Sequence, residues 1–302
     1  MTAFAGARRR AQPSQAATAA FLLAAALVTW IVTVSRMRGM DAGPGADLGS
    51  VGWYVGVWVT MMAAMMFPAA APMVLIFHRV SREQARRGQR FVPTWVFVLA
   101  YLAVWTAYGL AAYGLYRLVV HVGGDFAWGR GGRWVAGAAI VGAGVYELTP
   151  LKSVCLRHCR SPLHYVLGGW RPGRLGAITM GAEHGAYCVG CCWGLMVVLF
   201  ALGVMSLTWM AVVAGLIFAQ KVLPRGEHLT RVFAVVLIGA GIWVAASPGS
   251  VPGLTLPDSP GAGRARARMM HMEPGMKMPA TSRPGTKTKP AMGSGMTTSS
   301  MP

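Results

Sequence analysis

The sequence predicts an all-α, polytopic transmembrane helical bundle of about seven helices, followed by a disordered C-terminal tail. Apolar residues make up 55% of the 302 residues and charged residues only 12%, about half the charged share of a globular domain. Lys and Arg total 28 against 9 Asp and Glu, and they form short clusters between long uncharged stretches. This arrangement is typical of the cytoplasmic loops of a membrane protein, whereas a nucleic-acid-binding domain gathers its basic residues on one folded face.

Each predicted helix is an apolar run close to the roughly 20 residues that cross a bilayer core. The first run is a retained helix and not a signal peptide, because it is too long and no clean cleavage site follows it. Pro68 and Pro72 are expected to kink the end of the second. The fourth is short and carries Glu147, and the fifth contains Glu183 and His184. The predicted helices are 16–34, 51–77, 91–120, 134–150, 175–204, 206–222 and 232–246.

Basic residues predict how these helices are oriented. With the N-terminus inside, the cytoplasmic segments hold 16 Lys and Arg and the outer loops hold five, as the positive-inside rule requires. Residues 1–15 are then a basic cytoplasmic N-terminus, residues 16–247 the bundle, and residues 248–302 an extracytoplasmic tail. The tail is rich in Pro, Gly, Ser, Thr and Met, and it lacks the apolar surface that would offset the entropy of ordering. The predicted location is the bacterial inner (plasma) membrane.

The strongest candidate site lies on the fifth predicted helix. His184, Cys188, Cys191 and Cys192 stand at i, i+4, i+7 and i+8, so they share one helix face. One imidazole and three thiols suit a soft or borderline metal ion. The alternative is that cysteine packs as a small apolar residue between helices. Three thiols within five residues, next to the intramembrane Glu183, favour a metal site.

A second cysteine pair follows the fourth predicted helix. Cys155 and Cys159 are spaced i, i+4, with His158 as a further candidate ligand. Basic neighbours favour the thiolate form, which binds metals. The alternative is a basic cytoplasmic loop with two reduced thiols. Residues 155–192 together form the predicted Cys-rich metal-binding segment.

Methionines supply a third set of candidate ligands. Met61 and Met65 share one face of the second helix, and thioethers bind Cu(I), although methionine also packs as an adaptable filler. Methionines of a flexible polar tail have no core to fill, so a secondary Cu(I) site is predicted there, with low-complexity sequence as the alternative. That site comprises Met269, Met270, His271, Met272, Met276 and Met278. The intramembrane acidic residues Glu147 and Glu183 are expected to pair with Lys152 or Lys221.

Three blocks of the sequence resemble a known family. They are the run from Met61 to Pro68, the run from Tyr146 to Pro162, and the run from Gly185 to Met196. Together they resemble the bacterial predicted metal-binding integral membrane proteins, an uncharacterised domain sometimes labelled a copper chaperone. The resemblance spans about residues 50 to 245 and implies a metal-binding function. Where that family often has Glu-Lys near the end of the sixth helix, this chain has Gln220-Lys221.

The primary functional prediction is an integral membrane protein that handles Cu(I) in delivery or transport. Its predicted ligands are Cys155, Cys159, His184, Cys188, Cys191, Cys192, Met61 and Met65. Another soft or borderline transition metal is the alternative ion. The expected partners are membrane lipids and a cuproprotein or other membrane subunit, with no nucleic acid. Two rival functions stay open, namely a membrane thiol–disulfide oxidoreductase with exchanging cysteine pairs and an assembly subunit with structural cysteines.

Overall fold

The computed structural model describes residues 13–89, 91–123, 131–224 and 226–272. Within these ranges the chain is all-α, as predicted, and it contains no strand. Beside the helices there is one short 3-10 turn, Pro248–Ser250. The helices are α1 Pro13–Met37, α2 Val51–Arg86, α3 Thr94–Gly123, α4 Gly132–Glu147, α5 Pro150–Arg160, α6 Pro162–Gly168, α7 Gly173–Leu202, α8 Leu207–Val222, α9 Gly226–Ala246 and α10 Pro260–Met272.

Five of the described helices, α1, α2, α3, α7 and α9, are long and apolar enough to cross a membrane. A sixth candidate is the pair α4–α5, in which the two helices meet at 65°, and α8 is a shorter apolar helix. The outer faces carry large apolar side chains, including Phe21 at 72% and Val235 at 69% exposure. Because soluble proteins rarely expose such continuous apolar surface, these faces suit lipid. The predicted seven spans require both α4–α5 and α8 to cross.

Helix α2 is longer than predicted. It was expected to end at Phe77 after Pro68 and Pro72, but it continues through both prolines to Arg86. A proline inside a helix removes one backbone hydrogen bond, and tight packing by neighbouring membrane helices compensates for this loss. The polar residues after Phe77 then form the last turns of the same helix.

Cys155 and Cys159 lie on a helix, not in the predicted loop. After α4 ends, Thr149 caps α5 by accepting a hydrogen bond from the Lys152 backbone N–H at 3.3 Å. Pro150 occupies the first turn, where its missing N–H is not needed. The cap and the proline therefore restart the helix directly after the bend, which turns α5 onto the side of α7.

The prediction of a disordered tail is wrong for residues 260–272, which form α10. Ala265 and Met269 are buried against Met40 and Ala42 of the α1–α2 connection. Ala262, Ala265 and Met269 repeat at helical spacing, which gives this polar segment a narrow apolar stripe. The overall polar composition of the tail did not reveal this stripe, because it consists of only three residues. Residues 273–302 lie outside the described residues.

The tail and the α1–α2 connection form a cap on one end of the bundle, here defined as residues 38–50 with 248–272. Thr255 donates a hydrogen bond to Asp41 Oδ2 at 3.0 Å. The end of α3 joins the cap, because Tyr113 donates to the Gly49 carbonyl at 2.9 Å. Gly203, directly after α7, also lies against Asp41. The α2–α3 connection lies at the opposite end with α6, where Trp170 Nε1 donates to Gln89 at 3.3 Å.

Helix α7 occupies the centre and packs against α3, α4, α5 and α8. Its glycines allow the close approach. A Cβ on Gly181 would lie 2.4 Å from the Phe97 carbonyl oxygen of α3, and one on Gly185 would lie 3.0 Å from Val104. Small residues at such crossings let membrane helices pack backbone to backbone. The cysteines in the middle of α7 are thereby enclosed on several sides.

Candidate metal centre

The three cysteines of α7 form a compact, buried thiol cluster. The sulfur atoms of Cys188, Cys191 and Cys192 all lie within 4.8 Å of one another, and each residue is at most 1% exposed. Cys191 Sγ lies 3.3 Å from Cys192 Sγ and 3.2 Å from the Cys188 carbonyl oxygen. Thiolates at such separations can converge on one soft cation.

Cys159 joins this cluster from α5. Its Sγ lies 3.8 Å from Cys191 Sγ, and its side chain also interacts with Cys188. Cys159 is the one partly exposed cysteine among the five of the chain. Four thiols from two helices therefore meet at one place, and Cys159 is the residue among them that is partly exposed.

Cys155 lies apart from the four clustered thiols. It is buried against α7 at Gly190, where an added Cβ would lie 2.7 Å from Cys155 Sγ. On a helix of 3.6 residues per turn, position 190 points away from positions 188 and 192. The structure therefore brings together Cys159 of the predicted α5 pair and leaves Cys155 on another side of α7.

Two hydrogen bonds converge on the sulfur of Cys188. Lys221 Nζ of α8 donates to Cys188 Sγ at 2.8 Å, and Tyr101 Oη of α3 lies 3.0 Å from the same sulfur. Lys221 is 9% exposed. A buried ammonium is stabilised by an anionic partner, and the Cys188 sulfur, which can ionise, is in contact with it. Sequence reasoning considered Lys221 only as a partner for a carboxylate, and it missed Tyr101.

A second buried polar network lies beside the cluster. Lys152 Nζ donates to Glu147 and, at 2.9 Å, to Gln220 Oε1, while Gln220 Nε2 donates to Glu147 Oε2 at 2.7 Å. All three residues are at most 4% exposed. The Glu147–Lys152 pairing expected from the sequence is confirmed. The amide of Gln220 satisfies both charged groups without adding a second negative charge, which explains how glutamine fits at this position.

Glu183, the other acidic residue predicted to be intramembrane, pairs differently than expected. Its carboxylate lies 2.7 Å from Arg171, and both side chains are about half exposed. Tyr165 Oη donates to it at 3.3 Å. Glu183 thus belongs to the surface between α6 and α7, and the expectation of a partner in Lys152 or Lys221 is wrong.

His184 is buried one turn before Cys188, at 3% exposure. Its ring stacks near those of Tyr101 and Phe97, with centroids 5.6 and 6.0 Å away. Within the described part of the chain, its Nδ1 has no hydrogen-bond partner. An unsatisfied buried nitrogen costs about 1–3 kcal/mol, so this atom is free to accept a ligand. His158, by contrast, lies flat on the Tyr187 ring, 4.1 Å between centroids.

The methionines of α2 are buried in the same apolar cluster as the three α7 cysteines. Met61 and Met65 are each 1% exposed, and Met62 and Met66 are fully buried. Packing and metal binding are both compatible with this position.

The predicted tail site is divided by the structure. Met269 is 2% exposed and packs on the cap, Met270 is half-buried, and His271 is exposed. The backbone of Met272 ends α10, and Met276 and Met278 lie outside the described residues. The described part of this segment therefore has a packing role that composition did not reveal.

A family model named PpoB2, described as a copper chaperone, matches residues 55–244, which is more than half of the chain. The match includes the four clustered thiols, Lys221 and the α2 methionines. Among curated proteins and solved structures, none matches the chain.

Proposed function

The chain belongs to the PpoB2 copper chaperone family, and from this premise we propose that it is an integral membrane protein that binds Cu(I) as cargo through the thiols of α5 and α7. The observation that carries the proposal is the convergence of Cys159, Cys188, Cys191 and Cys192 around one buried position. Thiolates are soft ligands that favour Cu(I), Zn²⁺ and iron–sulfur clusters, and the family description as a copper chaperone favours Cu(I) among these. His184 and the α2 methionines are additional candidate ligands.

Charge balance favours a two-thiolate complex. Cu(I) with two thiolates carries one negative charge, and the ammonium of Lys221, 2.8 Å from Cys188 Sγ, compensates it. A neutral assembly is the least costly form inside a membrane protein, because an uncompensated buried charge costs several kcal/mol. The remaining clustered thiols stay protonated, and the ion can move to one of them when that thiol passes its proton to the sulfur that the ion leaves.

Release would use Cys159, since it is the partly exposed member of the cluster. A recipient thiol or thioether that reaches Cys159 can take the ion without opening α7. We propose a cuproprotein or another membrane subunit as this recipient, at the end of the bundle where α5 and α6 lie. The proposed location is the inner membrane, with that end in the cytoplasm and the cap outside.

The test is a metal and thiol count on the same sample. The full chain is purified in detergent under anaerobic, reducing conditions and titrated with Cu(I) against a chromophoric Cu(I) chelator. We expect tight binding of Cu(I), a matching loss of free thiols, and loss of binding in a Cys188→Ser, Cys191→Ser, Cys192→Ser triple variant. Full Cu(I) binding by a folded triple variant would contradict the proposal. Preferential binding of Zn²⁺ by the wild-type chain would show that zinc, and not copper, is its metal ion.

A thiol–disulfide oxidoreductase is the second candidate, favoured by the 3.8 Å approach of Cys159 Sγ to Cys191 Sγ across two helices. These atoms are the pair that would form the exchanging disulfide. The same count separates the two functions, because an oxidoreductase would lose two thiols on mild oxidation and regain them with dithiol reductant, independently of copper.

A further inference from the structure

Sulfur ligands continue along α7 beyond the cysteine cluster. Cys188, Cys192 and Met196 stand at i, i+4 and i+8, so they form one stripe that rises about 12 Å along the helix axis. Met196 is fully buried. It belongs to the same packed cluster as the cysteines and as Met205, which follows the end of α7. The stripe therefore leads from the thiols toward the cap.

At the cap end of this stripe lies a small open cavity. Its lining includes Gly43 and Asp47 of the α1–α2 connection, Tyr116 of α3, and Phe200 and Met205 next to the end of α7. Met205 is 4% exposed and lines the cavity. It also belongs to the packed cluster that contains the thiols, so the cavity borders that cluster.

The charged residue in the lining of the cavity is an aspartate, Asp47, in a chain of net charge +19. Asp41 lies in the same connection. The Asp47 carboxylate is 26% exposed and lies 3.9 Å from Arg117, whose side chain is 58% exposed. Exposed pairs at this separation are weak, so the carboxylate can attract a passing cation.

We infer that this cavity is the entrance through which Cu(I) reaches the cysteine cluster, with Met205 and Met196 as successive thioether ligands. The inference rests on the proposed function and adds the route to it. At each transfer one copper–sulfur bond forms while another breaks, and the ion remains Cu(I), so no electron moves. When the ion reaches the cluster, the second thiol that binds it releases its proton, and one H⁺ leaves to the buffer for each Cu(I) bound. Neutral thioethers hold Cu(I) less tightly than thiolates, and the sequence from Met205 through Met196 to Cys192 therefore runs toward stronger ligands.

Packing is the competing role for both methionines, and a Met→Leu substitution separates the two roles. Leucine keeps nearly the same volume and apolar character but removes the sulfur. Met73 and Met180 are matched controls, because each is 1% exposed and lies in a separate apolar cluster. If the methionines only pack, all four leucine variants will behave alike.

The experiment measures the rate of Cu(I) loading from a Cu(I)–chelator complex into the reduced full chain by stopped-flow absorbance. We expect Met196→Leu and Met205→Leu to load about tenfold more slowly, equivalent to about 1.4 kcal/mol in the barrier. The number of Cu(I) ions finally bound per chain should equal that of the wild type. Met73→Leu and Met180→Leu should load at the wild-type rate.

Asp47→Asn is a second variant that does not depend on repacking the core. It should slow loading at low ionic strength, and salt should diminish the difference. Unchanged rates in Met196→Leu, Met205→Leu and Asp47→Asn, with normal stoichiometry, would overturn the entrance and leave the proposed function intact. A wild-type chain that binds no Cu(I) would instead overturn the proposed function.

Discussion

Lys221 Nζ on α8 donates a 2.8 Å hydrogen bond to Cys188 Sγ on α7. This contact places a buried cation next to the thiol cluster, and Tyr101 adds a second polar partner at 3.0 Å. The neighbouring residue, Gln220, completes the separate network with Glu147 and Lys152. Two consecutive residues of α8 thus contact the thiol cluster and the buried ion pair.

Replacing Lys221 with Leu should weaken Cu(I) binding. The substitution removes the ammonium that compensates the complex, and breaking a buried charge pair costs about 3 kcal/mol, or about a hundredfold in affinity. Chelator competition in detergent measures the change. Lys221→Arg keeps the positive charge, so its Cu(I) affinity should fall much less. Equal affinities for the wild type and Lys221→Leu would show that the ammonium does not compensate the metal complex.

The two cysteines of α5 should behave differently. Cys159→Ser should lower Cu(I) affinity by about tenfold or more, or about 1.4 kcal/mol, because Cys159 Sγ contacts the cluster at 3.8 Å from Cys191 Sγ. Cys155→Ser should leave the affinity unchanged, since Cys155 packs against Gly190 on another side of α7. Each variant is the matched control of the other. A loss in Cys155→Ser equal to that in Cys159→Ser would place both thiols in the site.

Swapping the carboxylate of Glu147 with the amide of Gln220 should preserve stability, whereas replacing Glu147 alone should lower it. Glu147→Gln leaves the Lys152 ammonium without its carboxylate and should lower the free energy of unfolding by about 3 kcal/mol. The double variant Glu147→Gln, Gln220→Glu returns one carboxylate to the network and should recover most of this loss. Thermal unfolding in detergent measures all three proteins. No recovery in the double variant would mean that the position of the charge, and not its presence, stabilises the network.

The helical core and the thiol cluster were largely predictable from the sequence, for identifiable reasons. Apolar runs of about 20 residues gave the long helices, and the spacing of Cys188, Cys191 and Cys192 placed them on one face. The separation of Cys155 from Cys159 was not predictable. It depends on the 65° bend between α4 and α5 and on the approach of α5 at Gly190, and both are tertiary features. The partners of Glu183 and Lys221 depend on the same packing.

Helix α10 should detach from the α1–α2 connection when Met269 is truncated. Met269→Ala removes a side chain that is buried against Met40 and Ala42, which costs about 2–5 kcal/mol at a well-packed position. Trypsin should then cleave faster after the arginines of α10, which are Arg264, Arg266 and Arg268. Met270→Ala is the control, because Met270 is only half-buried. Equal cleavage rates in the two variants would contradict the packing role of Met269.

The side of the membrane on which Arg174 lies should show how many helices cross it. With the N-terminus in the cytoplasm, α1 places the α1–α2 connection outside, and the tail packs on that connection. Gly203, at the end of α7, lies against Asp41 of the same connection. The start of α7 must then lie on the cytoplasmic side, which requires the bent α4–α5 pair to cross. Reporter fusions after Arg90, Arg174 and Ser250 should therefore read inside, inside and outside. If α4–α5 and α8 were both re-entrant, the tail would still read outside but the Arg174 fusion would read outside as well, so that one fusion separates the two topologies.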